Sequence, residues 1–375
     1  MKLTMWTSTG DHCGIASYTA RLMDAMRALG EVEIDVVDVP YADRTPETRA
    51  RLLAQLNAAD VVHLQHEYGF FGGILPGHST LPAYLDGLRP PHVMTAHTTL
   101  TASQLLRIDS EPSAAKRVVK RLLAAWPPWR RSVEAAPFRR ARRVIVHTRE
   151  AAAEFAARGV PAGRLRVLPA GIPETVPPEP PPPPIPPGRW ITLFGFVTPN
   201  KGYEIVLEAL SRLPADVRLV IAGGARVEAE APYVEALRRE IAAQGLSERV
   251  TITGFLTEAQ IAAVLTRSEV ALAPHTVASG SYSVMLPIAY GRPVLASDLA
   301  CFADLRDADA GVTTVPAGDA GALTERLGAL LADEAEREAL AAQARAYASR
   351  HTWEAVAQQT LALYREALDA RREER

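Results

Sequence analysis

The chain has 375 residues, 48% of them apolar, enough for two separately cored domains without help from metals or disulfides. A net charge of −2 singles out no partner, and two cysteines, Cys13 and Cys301, are too few for a disulfide framework or a metal cluster. No uninterrupted apolar run reaches the length of about 18 residues that a membrane span needs, and Met1 to Gly10 is strand-like rather than a signal core; a reducing, cytoplasmic setting is expected.

Short β-branched runs alternate with helical segments along the chain, the pattern of parallel α/β sheets. "MKLTMW" reads as the first strand. The loop after it, "TGDHCGIASYTARL", carries Gly10 and Gly14, which let backbone N–H groups approach an anion at a helix start. Its spacing departs from G-x-G-x-x-G and argues against a dinucleotide site in which Asp38 would hold a ribose. "EIDVVDV" and "DVVHLQ" read as the next strands. Just past the third, "HLQHEYGFFGG" sets His66, Glu67 and Tyr68 on one strand-end loop, expected with His12 to form a binding surface. "HVMTAH" ends a fourth strand at His97, and "RVIVHT" is a fifth.

Seven of the nine histidines lie in the first 147 residues, and His12, His66 and His97 fall on strand-end loops. No H-x-x-x-H spacing occurs, so no zinc site is expected; a neutral imidazole hydrogen-bonding a substrate hydroxyl or phosphate is the better reading. Between the fourth and fifth strands, Lys116 to Arg143 holds ten basic residues and one acid, Glu134, with Trp126 and Trp129 among them. It reads first as a solvated, arginine-biased surface; the alternative is peripheral contact with the anionic inner face of a membrane. No nucleic-acid-binding module is present, and no such partner is expected.

Ten of the 29 prolines lie between Pro173 and Pro187, a run that should be an extended, semi-rigid spacer. It divides the chain into residues 1–172, a linker at 173–189, a second domain at 190–350 and a last helical segment at 351–375. In the second half "WITLFGF", "VRLVIAGG", "RVTITGF", "VALAPH", "RPVLAS" and "GVTTVP" read as strands, with "YVEALRREIAAQ" and "GALTERLGALLADE" among the helices. Two doubly wound domains facing across a cleft are expected, with ligands beyond the carboxyl ends of the strands.

Lysine is rare: only Lys2, Lys116, Lys120 and Lys201 interrupt the arginine bias. Lys201, in "FGFVTPNKGYEIVLEAL", sits near a helix start, well placed for phosphate charge. Arg226 follows a Gly-Gly turn in "AGGAR", where a plain turn is an equal reading. From Val270 to Gly291 no Asp, Glu, Lys or Arg occurs. Within that run Pro287 belongs near the front of a helix, so the helix should begin near Tyr282 or Ser283 and leave the amides of Gly280 to Ser283 free to hold a diphosphate.

Taken together and in order, "CGIASYTARL", "HLQHEYGFFGG", "GFVTPNKGYEIVLEAL", "RVTITGFLTEAQI" and "GRPVLASD" resemble the family 4 glycosyltransferases of the GT-B fold. The likeness runs on through "AGVTTVPAGDAGALTERL" and "HTWEAVAQQTLALYREAL". The resemblance implies an α/β fold of two Rossmann-like parallel-sheet domains and metal-independent transfer of a sugar, with retention, from a UDP- or GDP-type nucleotide-diphosphate sugar to an acceptor. No further cofactor is implied. By position, Lys201 matches the lysine on the donor diphosphate, Gly14 a first-domain glycine near it, and His97 the histidine beside the transferring sugar. Gly254, Phe255 and Leu256 match the segment lining the base pocket, and Ser279, Gly280, Ser281, Tyr282 and Ser283 complete the expected donor loop. The last helix is expected to cross back to the first domain. Two departures stand out: the family's arginine five residues before the lysine is Phe196 here, and its paired glutamates fall at Ala278 and Leu286. The readings left open are an active transferase, a non-catalytic relative that binds nucleotide sugar, and a sugar phosphorylase.

Overall fold

A computed structural model of the chain describes residues 1–10, 13–41, 43–73, 78–99, 118–119, 122, 126, 135–179, 185–225, 228–278 and 282–373. Of the expected site residues, His12, Arg226, Ser279, Gly280 and Ser281 lie outside this set, as do the side chain of Tyr282 and most of residues 116–134. The chain divides into two compact units, Met1–Gly171 with Trp353–Arg375, and Ile172–Thr352.

Unit 1 is a parallel sheet in the order β2-β1-β3-β4-β5-β6, formed by β1 (Lys2–Thr7), β2 (Glu33–Asp38), β3 (Val61–His66), β4 (His92–Ala96), β5 (Arg143–Val146) and β6 (Leu165–Val167). The first five correspond to runs legible in the sequence. The sixth has three residues, too few to show a period. Helix α1 (Gly14–Leu29) follows β1 and packs against the long terminal helix α2 (Trp353–Glu373). Tyr18, Leu22 and Met26 of α1 meet Trp353, Val356, Leu361 and Tyr364 of α2 in one buried cluster, with Leu3 and Met5 of β1 beneath. The chain passes so close to this helix at Gly171 that a Cβ there would lie 2.5 Å from the Trp353 ring. A side chain larger than hydrogen would push α2 off the unit.

Unit 2 is a second parallel sheet, ordered β12-β11-β10-β7-β8-β9. Its strands are β7 (Arg189–Phe194), β8 (Val217–Ala222), β9 (Val250–Ile252), β10 (Ser268–Ala273), β11 (Val294–Ser297) and β12 (Val312–Val315). Ile191, Leu193, Leu219, Ile221, Val270 and Leu272 fill the core and are almost fully buried, as parallel strands covered on both faces require. The chain winds outward from β7 through β8 to β9, then returns to lay β10 on the other side of β7. The carboxyl ends of β7 and β10 therefore flank the reversal of strand order, where a crevice opens in such sheets.

The proline-rich segment is fastened to unit 2 along its described length. Val176 N donates to the Tyr290 hydroxyl at 3.0 Å, Glu179 N to the Ala259 carbonyl at 3.0 Å, and Trp190 Nε1 to the Pro186 carbonyl at 3.1 Å. The unit boundary falls at Gly171 and Ile172, ahead of the prolines rather than within them.

Candidate functional site

In unit 2, β7 runs out at Phe194 into Gly195, whose φ of 115° is open to glycine. A Cβ at that position would stand 3.2 Å from Lys201 Nζ and 3.2 Å from the Ser283 Cβ, so the backbone itself forms the floor beneath the ammonium. Gly202, at φ 75°, turns the chain from Lys201 into α3 (Tyr203–Arg212). Its missing side chain lets the turn press on the end of β10, where a Cβ would collide with the Pro274 carbonyl at 2.1 Å.

Lys201 is thereby 9% exposed, and its Nζ donates to Ser283 Oγ at 2.9 Å. Ser283 is the second residue of α4 (Tyr282–Ala289), which begins where Pro287 suggested, though the proline lies a full turn inside rather than at the front. Burial draws the Lys201 ammonium down to about 8. No carboxylate pairs with it among the described residues. His275, just past β10, is almost fully buried, and its Nδ1 has no partner among the described residues. Burial, and then the nearby Lys201 charge, hold it down to about 3, so it stays neutral. In the sequence this imidazole is masked by the strand pattern of "VALAPH"; its rarity in the second half, shared only with His351, is the available signal.

Past the ends of β7 and β9 lies an exposed aromatic pair. Phe196 follows Gly195, and Phe255 follows Gly254 at the end of β9; their rings meet edge to face at 6.3 Å. Both are exposed, Phe255 at 70%. Gly224 floors the Phe255 ring, since a Cβ there would lie 3.6 Å from it. A capping box between Thr257 and Gln260 at the head of the next helix, α5 (Glu258–Arg267), fixes the exit of this loop. Leu256 turns inward and packs with the small cluster of Trp190, Val220, Ala222 and Val264. The positions of the missing glutamates are a half-buried Ala278 and a half-buried Leu286 within α4.

In unit 1, His97 follows β4. Its Nε2 lies 2.8 Å from Gln65 Oε1 and its Nδ1 3.4 Å from His147 Nε2. The Tyr18 ring stands edge-on to it at 4.9 Å. Burial first, then the neighbouring His147, His63 and His66, hold His97 well below the usual imidazole range. Gly14 opens α1, and a Cβ placed there would meet nothing within 4 Å. Asp38 accepts from the amides of Thr9 at 3.1 Å and Val39 at 2.9 Å, which ties it to the turn after β1.

Of the residues expected to meet an acceptor, His66 and Tyr68 are buried and Glu67 is half-buried. His66 is 3% exposed, its ring lies among Tyr68, Phe71 and Phe138, and burial holds it down to about 3. Tyr68 folds back on it through the short turn Tyr68–Phe71. Glu67 accepts from the Thr98 hydroxyl and, at 3.1 Å, from the Tyr68 amide, and burial raises its pKa. The physical reason is that all six residues of β3 are buried, so the strand delivers its last side chain to the core. Among the described residues no group of three His, Cys, Asp or Glu could hold a metal ion, and no helix is long and apolar enough to cross a membrane.

Two Rossmann-like units, each a six-stranded parallel sheet with its polar loops beyond the carboxyl ends of the strands, define the GT-B fold class. The chain belongs to the family 4 glycosyltransferases: residues 35–176 match the family described as Glycosyltransferase Family 4, and residues 188–333 match Glycosyl transferases group 1. It is 34% identical over 184 residues to the phosphatidyl-myo-inositol mannosyltransferase of Mycobacterium leprae, covering 47% of this chain and 46% of that protein. It is 30% identical over 307 residues to the 2-deoxystreptamine N-acetyl-D-glucosaminyltransferase of Streptomyces fradiae, covering 76% and 65%. The chain spans about half the length of the curated relatives it first matches. Among solved structures, Anabaena Alr3699/HepE in complex with UDP-glucose shares the fold, with a TM-score of 0.69 at 17% identity over 99% of this chain and all of that one.

Proposed function

We propose that the protein is a retaining, metal-independent glycosyltransferase that takes a sugar from a UDP- or GDP-type nucleotide-diphosphate sugar and passes it to an acceptor hydroxyl. The observation that carries this reading is Lys201: a nearly buried ammonium, held by a hydroxyl and paired with no carboxylate among the described residues. A cation kept that way gains most when an anion arrives.

In this reading the diphosphate lies between Lys201 and the head of α4, with Ser283 orienting the ammonium and the base against Phe255. The bond between the sugar's anomeric carbon and the phosphate oxygen breaks with its electron pair going to the phosphate. Lys201 neutralises that growing charge, a fixed stabilisation of the kind that dominates such reactions. The acceptor oxygen bonds the same carbon on the same face, and its proton passes to the departing phosphate. No enzyme carboxylate acts as nucleophile, so Ala278 and Leu286 are compatible with turnover. Gly14 and His97 are assigned to the diphosphate and the sugar by their match to the family. Those assigned positions outside the described residues (Arg226, Ser279, Gly280 and Ser281 for the donor, His12 for the acceptor) stand on the sequence alone.

Calorimetric titration with UDP, GDP and inorganic pyrophosphate, followed by release of nucleotide from sugar donors, tests the proposal. Lys201→Ala should weaken diphosphate binding and lower turnover about a hundredfold or more; binding that survives the substitution refutes the site. The missing carboxylates favour one second reading, a non-catalytic relative that binds nucleotide sugar, which would show tight Lys201-dependent binding and no release of nucleotide with any donor. Phosphorolysis that needs no nucleotide would instead mark a phosphorylase. Val118, Val119, Leu122 and Trp126 are all exposed within the arginine-rich segment. Peripheral contact with anionic membrane would appear as salt-sensitive co-sedimentation with acidic vesicles.

A further inference from the structure

His97 could meet a substrate as a hydrogen-bond donor or as an acceptor, and its neighbours decide which. Gln65 is fully buried on β3. Its amide nitrogen donates to Met5 Sδ at 3.3 Å and stands over the His63 ring, 3.3 Å from Nε2 and 3.5 Å from Nδ1. Both His63 nitrogens are already engaged in the ring plane, Nδ1 with the Tyr364 hydroxyl at 2.6 Å and Nε2 with the Thr95 hydroxyl at 2.8 Å. A thioether and a ring face accept an N–H and repel a carbonyl oxygen. The amide oxygen of Gln65 is thus the atom turned to His97, at 2.8 Å from Nε2, and a carbonyl oxygen can only accept. His97 Nε2 carries the proton.

The other side of the ring follows from His147. Its Nδ1 lies 2.9 Å from the Leu168 carbonyl, so Nδ1 carries its proton and Nε2 has a lone pair. That lone pair faces His97 Nδ1 at 3.4 Å, a longer contact than the one to Gln65. An acceptor there can also draw the proton to His97 Nδ1, so Gln65 at 2.8 Å and His147 at 3.4 Å compete for the one N–H of the neutral ring, and the shorter contact to a carbonyl oxygen prevails. Both rings are half-buried and so reachable from outside. The other titratable groups about His97, namely Tyr18, His63 and His66, add no charge: burial raises the Tyr18 pKa and holds both imidazoles down.

We propose that Gln65 is the positioning residue that holds His97 as its Nε2–H tautomer against the pull of His147, so that His97 meets a substrate as an acceptor through Nδ1. The group it selects is then an O–H donor, a sugar or acceptor hydroxyl, rather than a phosphate oxygen. This deepens the assignment of His97 under the glycosyltransferase reading and rests on it for the identity of the hydroxyl, but the tautomer itself is a property of the protein alone.

Long-range ¹⁵N–¹H correlation spectra of labelled protein at pH 7, with the His97 signals identified by their loss in His97→Asn, read the tautomer directly. The expected result is a protonated Nε2 and an unprotonated Nδ1. Gln65→Leu should give mixed tautomers, whereas Gln65→Glu, which keeps an acceptor at that place, should restore Nε2–H and raise the His97 midpoint by about one to two pH units. A protonated Nδ1 in the wild type, or an unchanged tautomer in a folded Gln65→Leu protein, overturns the proposal. Should Gln65→Leu not fold, the wild-type spectrum still decides. With a working donor, Gln65→Leu should lower kcat/KM about tenfold to a hundredfold while UDP affinity is unchanged. Absence of turnover in the wild type would count against the enzymatic reading and leave the tautomer result standing.

Discussion

Replacing Lys201 by methionine should make the free protein more stable while removing its ligand. The ammonium is 9% exposed, and burial brings its pKa from 10.5 down to about 8. At about 1.4 kcal/mol per pH unit, holding the charge inside costs the folded state on the order of 3 kcal/mol. The hydrogen bond to Ser283 returns roughly 1 kcal/mol of that. Methionine keeps the length of the stem without the charge, so at pH 7 Lys201→Met should gain about 1–2 kcal/mol, or about 2–6 °C in the melting of unit 2. The unfolded chain binds more protons than the folded one between about pH 8 and 10.5. Wild-type stability therefore rises with pH through that window, the full penalty stands below it, and the gap to Lys201→Met closes above it. UDP at a hundred times its Kd should stabilise the wild type by about 2.7 kcal/mol and leave the variant unmoved at the same concentration. Calorimetric melts at pH 7 and pH 10.5, with and without UDP, measure all of this. A variant that is less stable at pH 7, or that keeps the UDP shift, would refute the idea of a buried cation held ready for an anion.

Phe255→Ala should weaken UDP binding about fivefold to a hundredfold through lost stacking and leave pyrophosphate binding and the melting temperature unchanged, because the ring is 70% exposed; calorimetric titration with the two ligands separates the effects. Tyr364→Phe leaves the buried His63 Nδ1 without its partner and should cost about 1–3 kcal/mol in urea unfolding. Under the proposed mechanism, which takes its neutralising charge from Lys201, chelation of divalent metal with EDTA should leave release of nucleotide from the working donor unaltered; a loss restored by Mg²⁺ would assign that role to a metal.

What could be read from the sequence was what short stretches of chain determine for themselves. All six strands of unit 2 showed as β-branched runs bounded by turns, and Lys201 was conspicuous because lysine is rare and a glycine and a helix follow it. The start of α4 was legible from Pro287. The burial of His66 was not legible for the opposite reason. A strand buried on both faces has no polar side to betray its orientation, and its histidines meet groups from far along the chain: the His66 ring packs on Phe138, and Tyr364, which bonds His63, is 301 residues away. Likewise Phe196 read only as a lost arginine. Its pairing with Phe255 depends on β8 bringing the ends of β7 and β9 to the same edge, which is topology rather than local pattern.

On the proposed reading, in which a diphosphate meets Lys201, the absence of charge from Val270 to Gly291 has a physical reason. A carboxylate beside Lys201 would offset the burial of the ammonium in the resting protein and would have to be displaced, or repelled, when a diphosphate arrived. A hydroxyl can orient the ammonium without neutralising it, and Ser283 Oγ at 2.9 Å does so. The neutral His275 beneath completes the arrangement: an imidazole held down to about 3 supplies no competing positive charge and cannot act as a counter-ion. In that reading orientation and neutralisation fall to different partners, the first to the protein and the second to the diphosphate. A loop with charged side chains would have merged the two and left the site satisfied when empty.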